Sequence, residues 1–204
     1  MSAGGPDLPS MRLEEFLRAL GSRTPSPGGG AVAALSGAMG ASLLLMVAEY
    51  SEQAPAGDDS KSRLQGISER FLELAREDAV AYAAYSAARA RRKEEPAAYA
   101  ASQEAIALVP LEAMERAIEA LELLPGILSR APKWFAGDAA IAAGGLEACA
   151  EGMRMLGGVN ISGIKGPAGE KHAGRLAKAE ERLTKVLRRI EPLILRKLPG
   201  KAGQ

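Results

Sequence analysis

Apolar residues recur along this chain at spacings of three and four, the period of a helix, and nowhere alternate with the period of two that marks a strand. Leu13, Phe16, Leu17 and Leu20 share one face of a short helix over 11–20, with Ser10 placed to cap it and Gly21 to stop it. Leu64, Ile67, Phe71 and Leu74 begin the stripe of a long helix over 60–93, whose N-cap falls at Asp59 or Ser60. Pro96 opens a helix over 96–123 that kinks near 106–110 at Pro110. Pro125-Gly126 breaks or bends it, with room for a further turn to 130. Asp138 stands as the N-cap of a helix over 138–156, and residues 157–169 read as a glycine-rich loop. Leu176, Leu183, Leu187, Ile190 and Ile194 line a last helix over 170–197, bent near its end by Pro192. The fold class that follows is all-α, a single-domain bundle of about six helices over residues 1–204, with 1–9 and 199–204 flexible.

Two of these helices are built from small residues. After Pro25-Ser26-Pro27-Gly28-Gly29-Gly30 no charge appears until Glu49, and a helix over 28–52 is expected there. Gly29, Ala33, Gly37 and Ala41 lie four apart on one face, a ridge that lets another backbone approach closely. Gly costs about 0.8–1 kcal/mol against Ala inside a helix, so the ridge serves close packing, or space for a flat ligand or a symmetry mate. The stretch is of membrane-spanning length, but about half of it is Gly, Ala or Ser, and a buried central helix is expected instead. The helix over 138–156 repeats the composition with Ala139, Ala142, Gly144, Gly145 and Ala148.

At 204 residues and 47% hydrophobic the chain has enough apolar side chain for a sizeable core, and at 4% aromatic that core is aliphatic. Twenty-six basic against 25 acidic residues leave a net charge of +1, which argues against nucleic acid as a partner. One cysteine, Cys149, excludes an internal disulfide and reads as buried packing. One histidine, His172, reads as a surface residue and leaves too few ligands for a histidine-based metal site. No charged segment precedes an apolar one at the N-terminus, so no signal peptide and a cytoplasmic location are expected.

The sharpest anomaly is Asp78. Continued from Leu74, the core stripe of the long helix reaches Asp78 before Ala81, Tyr82 and Tyr85. A carboxyl there either pairs with an arginine or caps a neighbouring helix, or else is desolvated and suited to acid–base work near neutral pH. Glu77 falls 100° round the helix, on the solvent side. The Gly28-Gly29-Gly30 run is not a phosphate loop, because no Gly-Lys-Ser/Thr follows and no strand precedes it. It remains a helix start where backbone can meet a ligand. Asn160 reads as support for a left-handed turn, and Arg89, Arg91, Arg92 and Lys93 offset a helix dipole or meet an anionic ligand tail.

Together these residues resemble the cyclodeaminase/cyclohydrolase family: the cyclodeaminase half of formiminotransferase-cyclodeaminase and the free-standing methenyltetrahydrofolate cyclohydrolases. The likeness rests on Pro25-x-Pro27-Gly28-Gly29-Gly30-Ala31-Val32-Ala33-Ala34-Leu35, continued by Gly37-Ala38-Met39-Gly40-Ala41 and Met46-Val47. Asp78-Ala79-x-Ala81-Tyr82, Asp138-x-x-Ile141-Ala142 and Val159-Asn160-Ile161 extend it over nearly the whole chain. The resemblance implies an all-helical homodimer acting on a one-carbon adduct of tetrahydrofolate, with no metal and no separate cofactor. It implies a catalytic Asp78, and substrate contacts from Gly28, Gly29, Gly30, Tyr82, Asp138 and Asn160, with Lys93 toward the glutamate tail. Hydrolysis of 5,10-methenyltetrahydrofolate is the leading expectation, cyclisation of 5-formiminotetrahydrofolate with loss of ammonia the alternative, and a non-catalytic folate-binding dimer the third. The chain departs from the family pattern at Gly137, where a serine is usual, and at Pro132-Lys133 and Leu156, where asparagines are.

Overall fold

The structure, a computed structural model, describes residues 8–52 and 54–198. A 3-10 turn (Leu8–Ser10) leads into α1 (Leu13–Leu20), α2 (Gly29–Glu49), α3 (Ser60–Ala90) and α4 (Pro96–Arg130). A second 3-10 turn (Lys133–Phe135) precedes α5 (Ala136–Ser162) and α6 (Pro167–Lys197). No strand occurs among the described residues, so the all-α expectation holds. Helices α2, α3, α4 and α5 form a ring around one aliphatic core, each packed on its neighbours, and α6 closes the outer side of α4 and α5. The ends expected to be flexible lie outside the described residues, apart from the first turn, where Leu8 is buried.

Several boundaries move, each for a physical reason. Helix α4 runs unbroken through Pro110 and Pro125 to Arg130. Each proline removes one ladder bond, at about 3 kcal/mol. Leu111, Met114, Ile118, Leu121, Leu124 and Ile127 are fully buried around them, and each such side chain contributes roughly 1.5–3 kcal/mol. Helix α5 likewise passes Gly157-Gly158 and ends only at Ser162, because Ile161 is buried with Ala107 and Leu111. Asn160 therefore stands in a helix turn, not in a left-handed loop, and positive φ among the described residues is confined to Gly57 and Gly166. Asp138 is not an N-cap but the third residue of α5, in the first turn, where its charge still opposes the helix dipole. At α1 the N-cap is Arg12 rather than Ser10, and the Arg12 N–H donates to Glu15. At α3 the N-cap is Asp59, one of the two residues expected, but its side chain caps nothing; the Asp58 carboxylate accepts from the Ser60 N–H at 2.8 Å instead.

The small residues of α2 make the bundle tight. A methyl group on Gly37 would stand 2.7 Å from the Phe71 ring and 2.9 Å from Cys149 Sγ. One on Gly40 would stand 2.8 Å from the Ala142 carbonyl oxygen, and one on Gly145 3.1 Å from that of Ser36. Helices α2 and α5 thus touch backbone to backbone and run antiparallel, Gly37 level with Cys149 and Ala33 level with Gly152. Burial in that seam pushes the Cys149 thiol up to about 12. Helix α2 is also the one described helix long and apolar enough to cross a membrane, yet 56% of its apolar window is buried inside the bundle.

Two glycines test this reading in opposite directions. Gly37→Ala is expected to lose about 1–3 kcal/mol through overpacking. Gly66→Ala, mid-helix in α3 with nothing near its added methyl, is expected to gain about 0.5–1 kcal/mol. Urea denaturation of the two variants measures both signs.

Candidate active site

One end of the bundle is open because α2 begins late. The cis Ser26–Pro27 peptide and Gly28 bring the chain into α2 at Gly29, with no side-chain cap on its first N–H groups. Its three ring neighbours extend past that level. Arg63 pairs with Glu119 and Arg70 with Glu112, so α3 and α4 run antiparallel and Asp78 stands level with the Glu104–Ile106 turn of α4. Asn160 Nδ2 donates to the Ile106 carbonyl at 2.9 Å, which fixes the last turns of α5 at the same height. The mouth of the bundle is therefore bounded by the N-terminus of α2, by Asp78 and the turns that follow it on α3, and by Asn160 on α5.

Asp78 is half-buried directly over Gly30. A methyl group on Gly30 would fall within the carboxyl group itself, so only glycine admits Asp78 at that point. Beside them Ala31, Ala79, Phe16 and Leu8 form a small apolar cluster that keeps water from one side. Among the described residues no arginine, lysine or hydrogen-bond donor meets the carboxyl, so the pairing and capping alternatives are not realised. Desolvation alone acts, and it pushes the pKa above the ordinary 3.8. The neighbouring Glu77 is exposed, as expected, and held by Arg70 at 2.6 Å. Arg70 also bonds Glu73 and Glu112, which raises its own pKa.

Of the other expected residues, Gly28, Gly29 and Gly30 stand at the mouth, and Tyr82 is 43% exposed one turn beyond Asp78. Gly29 has open space around it, where a ligand or a second chain has access. Lys93 lies exposed in the α3–α4 turn. A cleft of about 760 Å³ opens beside that turn, lined by Arg92, Tyr99, Gln103 and Lys165. Arg92, not Lys93, supplies the α3 end's cation to it. Asp138 is the exception: 22 residues before Asn160 on the same straight helix, it lies roughly 33 Å away. It sits near the Tyr50–Phe135 ring stack, whose centroids are 4.9 Å apart, at the opposite end of the bundle.

Three features of this end were not read from the sequence. Gln103 Nε2 donates to the Gly163 carbonyl at 2.8 Å and ties the α5–α6 loop to α4. His172 is buried, not on the surface, and its Nε2 lies 3.0 Å from Glu104 Oε1. Tyr85 stacks on Tyr99 at 5.9 Å, and the Tyr99 side chain beside it pushes the Tyr85 pKa up. Only the last left a signal, since Tyr85 continues the stripe through Asp78.

A sequence profile of the formiminotransferase-cyclodeaminase family matches residues 12–179, from α1 well into α6. The chain belongs to that family. Its fold is also that of a solved formiminotetrahydrofolate cyclodeaminase from Thermotoga maritima, with a TM-score of 0.82 and 21% identity over 92% of this chain and 97% of that one. No curated protein sequence matches the chain. Of the departures from the family pattern, Gly137 has open space beside it, at the Asp138 end of α5, and Leu156 packs partly buried against the core.

The Asp78 carboxyl makes a signed prediction. Its raised pKa means that the folded chain holds the proton more tightly than the unfolded chain. Stability is therefore lost as pH rises from the ordinary carboxylate range through the folded pKa. Asp78→Asn does not titrate, so its melting temperature should gain on wild type as pH rises from 3 to 8. A constant difference across that range would mean an unperturbed carboxyl.

Proposed function

We propose that this chain is an enzyme of tetrahydrofolate one-carbon chemistry that closes 5-formiminotetrahydrofolate to 5,10-methenyltetrahydrofolate and releases ammonia. The family and the fold of the Thermotoga maritima cyclodeaminase favour this cyclisation over the hydrolysis that led the sequence reading. The observation that carries the proposal is Asp78, a carboxyl desolvated against Gly30 and met by no cation among the described residues.

In the reaction the folate N10 adds to the formimino carbon, giving a tetrahedral carbon bonded to N5, N10 and an amino group. The carbon–nitrogen bond to that amino group then breaks as ammonia leaves. The leaving nitrogen needs a proton and N10 must lose one, so a single carboxyl whose hold on its proton is raised by desolvation can serve both transfers. Asp78 moves the proton. The uncapped N–H groups of α2 and the Asn160 Oδ1, whose amide is anchored on Ile106, orient the ligand at the mouth. Tyr82 offers its ring toward the pterin, and the cations of the 89–93 run face the glutamate tail. The reading assigns no metal and no separate cofactor, a homodimer, and a cytoplasmic location.

The test supplies 5-formiminotetrahydrofolate and follows both methenyl absorbance and ammonia. Wild type should produce the two together, and Asp78→Asn should turn over on the order of 10²–10⁴-fold more slowly. Ammonia-free conversion of 5,10-methenyltetrahydrofolate to the 10-formyl compound, with no cyclisation, would restore the hydrolase. Unchanged turnover in Asp78→Asn would remove Asp78 from the chemistry.

A further inference from the structure

Helix α1 adds nothing to the main core. Among the described residues, the large aliphatic cluster of the bundle takes no side chain from before Ala33. The turn at Leu8–Ser10 and α1 form a separate strap, and its two buried side chains, Leu8 and Phe16, cluster with Ala31 of α2 and Ala79 of α3. Those two alanines follow Gly30 and Asp78 directly in the chain. The strap therefore spends its apolar burial at one place, beside the carboxyl. Its helix has an apolar stripe of four, Leu13, Phe16, Leu17 and Leu20, yet only Phe16 is buried. Leu13 and Leu17 stay 73% and 56% exposed. A helix that served the fold would bury the whole stripe. This one seats a single ring.

The charged groups around Asp78 are engaged elsewhere. On α3, Glu77 is held by Arg70, and Arg76 lines a groove on the α4 side. Helix α2 carries no charge before Glu49. On the strap, Arg12 and Arg18 lie 2.9 and 3.9 Å from Glu14, and Glu15 accepts from the Arg12 N–H, all of them exposed. Arg23, in the link to α2, is exposed as well. Across the mouth, Glu104 of α4 lies against His172. With these groups turned away, the surroundings of Asp78 are set by what covers it, and the cover is the strap.

We infer that Phe16 is a positioning residue for Asp78: seated in the cluster with Ala31 and Ala79, its ring closes one side of the carboxyl to water and keeps the group against Gly30. Without the ring, water reaches the carboxylate and stabilises its charged form. Leucine at this position keeps most of the apolar cover, and alanine does not. The place of Phe16 beside Asp78 rests on the packing alone. Its part in turnover rests on the proposed cyclodeaminase reading.

Two measurements on Phe16→Ala, Phe16→Leu and Leu8→Ala separate these levels. In carbon-13 NMR titrations of the aspartate side chains, the Asp78 midpoint should fall toward 3.8 in Phe16→Ala and, in the same direction, in Leu8→Ala. Phe16→Leu should return most of the way to wild type. All three should melt as a folded bundle, because the main core holds neither side chain. With 5-formiminotetrahydrofolate, kcat of Phe16→Ala at neutral pH should drop by up to about tenfold for each unit that the midpoint falls, with KM changed less than about twofold. The limb of the kcat–pH profile that reports Asp78 should move by the same amount as the NMR midpoint. An unmoved midpoint in Phe16→Ala overturns the proposal. So does a raised KM with kcat kept, which makes α1 a wall of the binding site, or loss of the folded bundle, which makes Phe16 part of the core. A fallen midpoint in a chain whose wild type acts on no folate adduct removes the folate reading and upholds the place of Phe16.

Discussion

The fold depends on how closely α2 approaches its neighbours. Gly37 and Gly40 on that helix let α3 and α5 come near its backbone, and Gly145 of α5 meets it from the other side of the seam. The cost is lower helix propensity, roughly 1 kcal/mol for each glycine. It is offset by dispersion in a core whose aliphatic side chains are fully buried. The same closeness makes the candidate site. Gly30 continues the series that packs α2, but what stands over it is a carboxyl rather than a ring or a backbone, and that carboxyl loses its water. A single packing device thus gives stability along the helix and chemistry at its first turn.

The helix identities were legible from periodicity because each helix buries a continuous stripe. The ends were not, where burial overrode local propensity. Pro125-Gly126 and Gly157-Gly158 look like breaks, but the side chains beyond them, Ile127 and Ile161, are buried and pull the helices onward. His172 failed for a related reason: a lone histidine among charged residues looks solvated, and its partner Glu104 comes from 68 residues away.

Asp78 was legible because a charge on a core stripe is a contradiction within one helix. What the pattern left open was the partner, an arginine or none, and the structure answers with Gly30 and a small apolar cluster. Asp138 and Asn160 show the limit of motif reading. Both match the family pattern, yet they sit at opposite ends of α5, so a motif names residues without saying that one chain brings them together.

The account turns on the protonation of one carboxyl. Carbon-13 labelling of the aspartate side chains, with Asp78→Asn to assign the resonance, gives its titration directly by NMR. The account predicts a midpoint for Asp78 clearly above 3.8, and above those of the exposed aspartates in the same spectra. A midpoint at or below 3.8 would mean a solvated or paired carboxylate, and would contradict the proposed site.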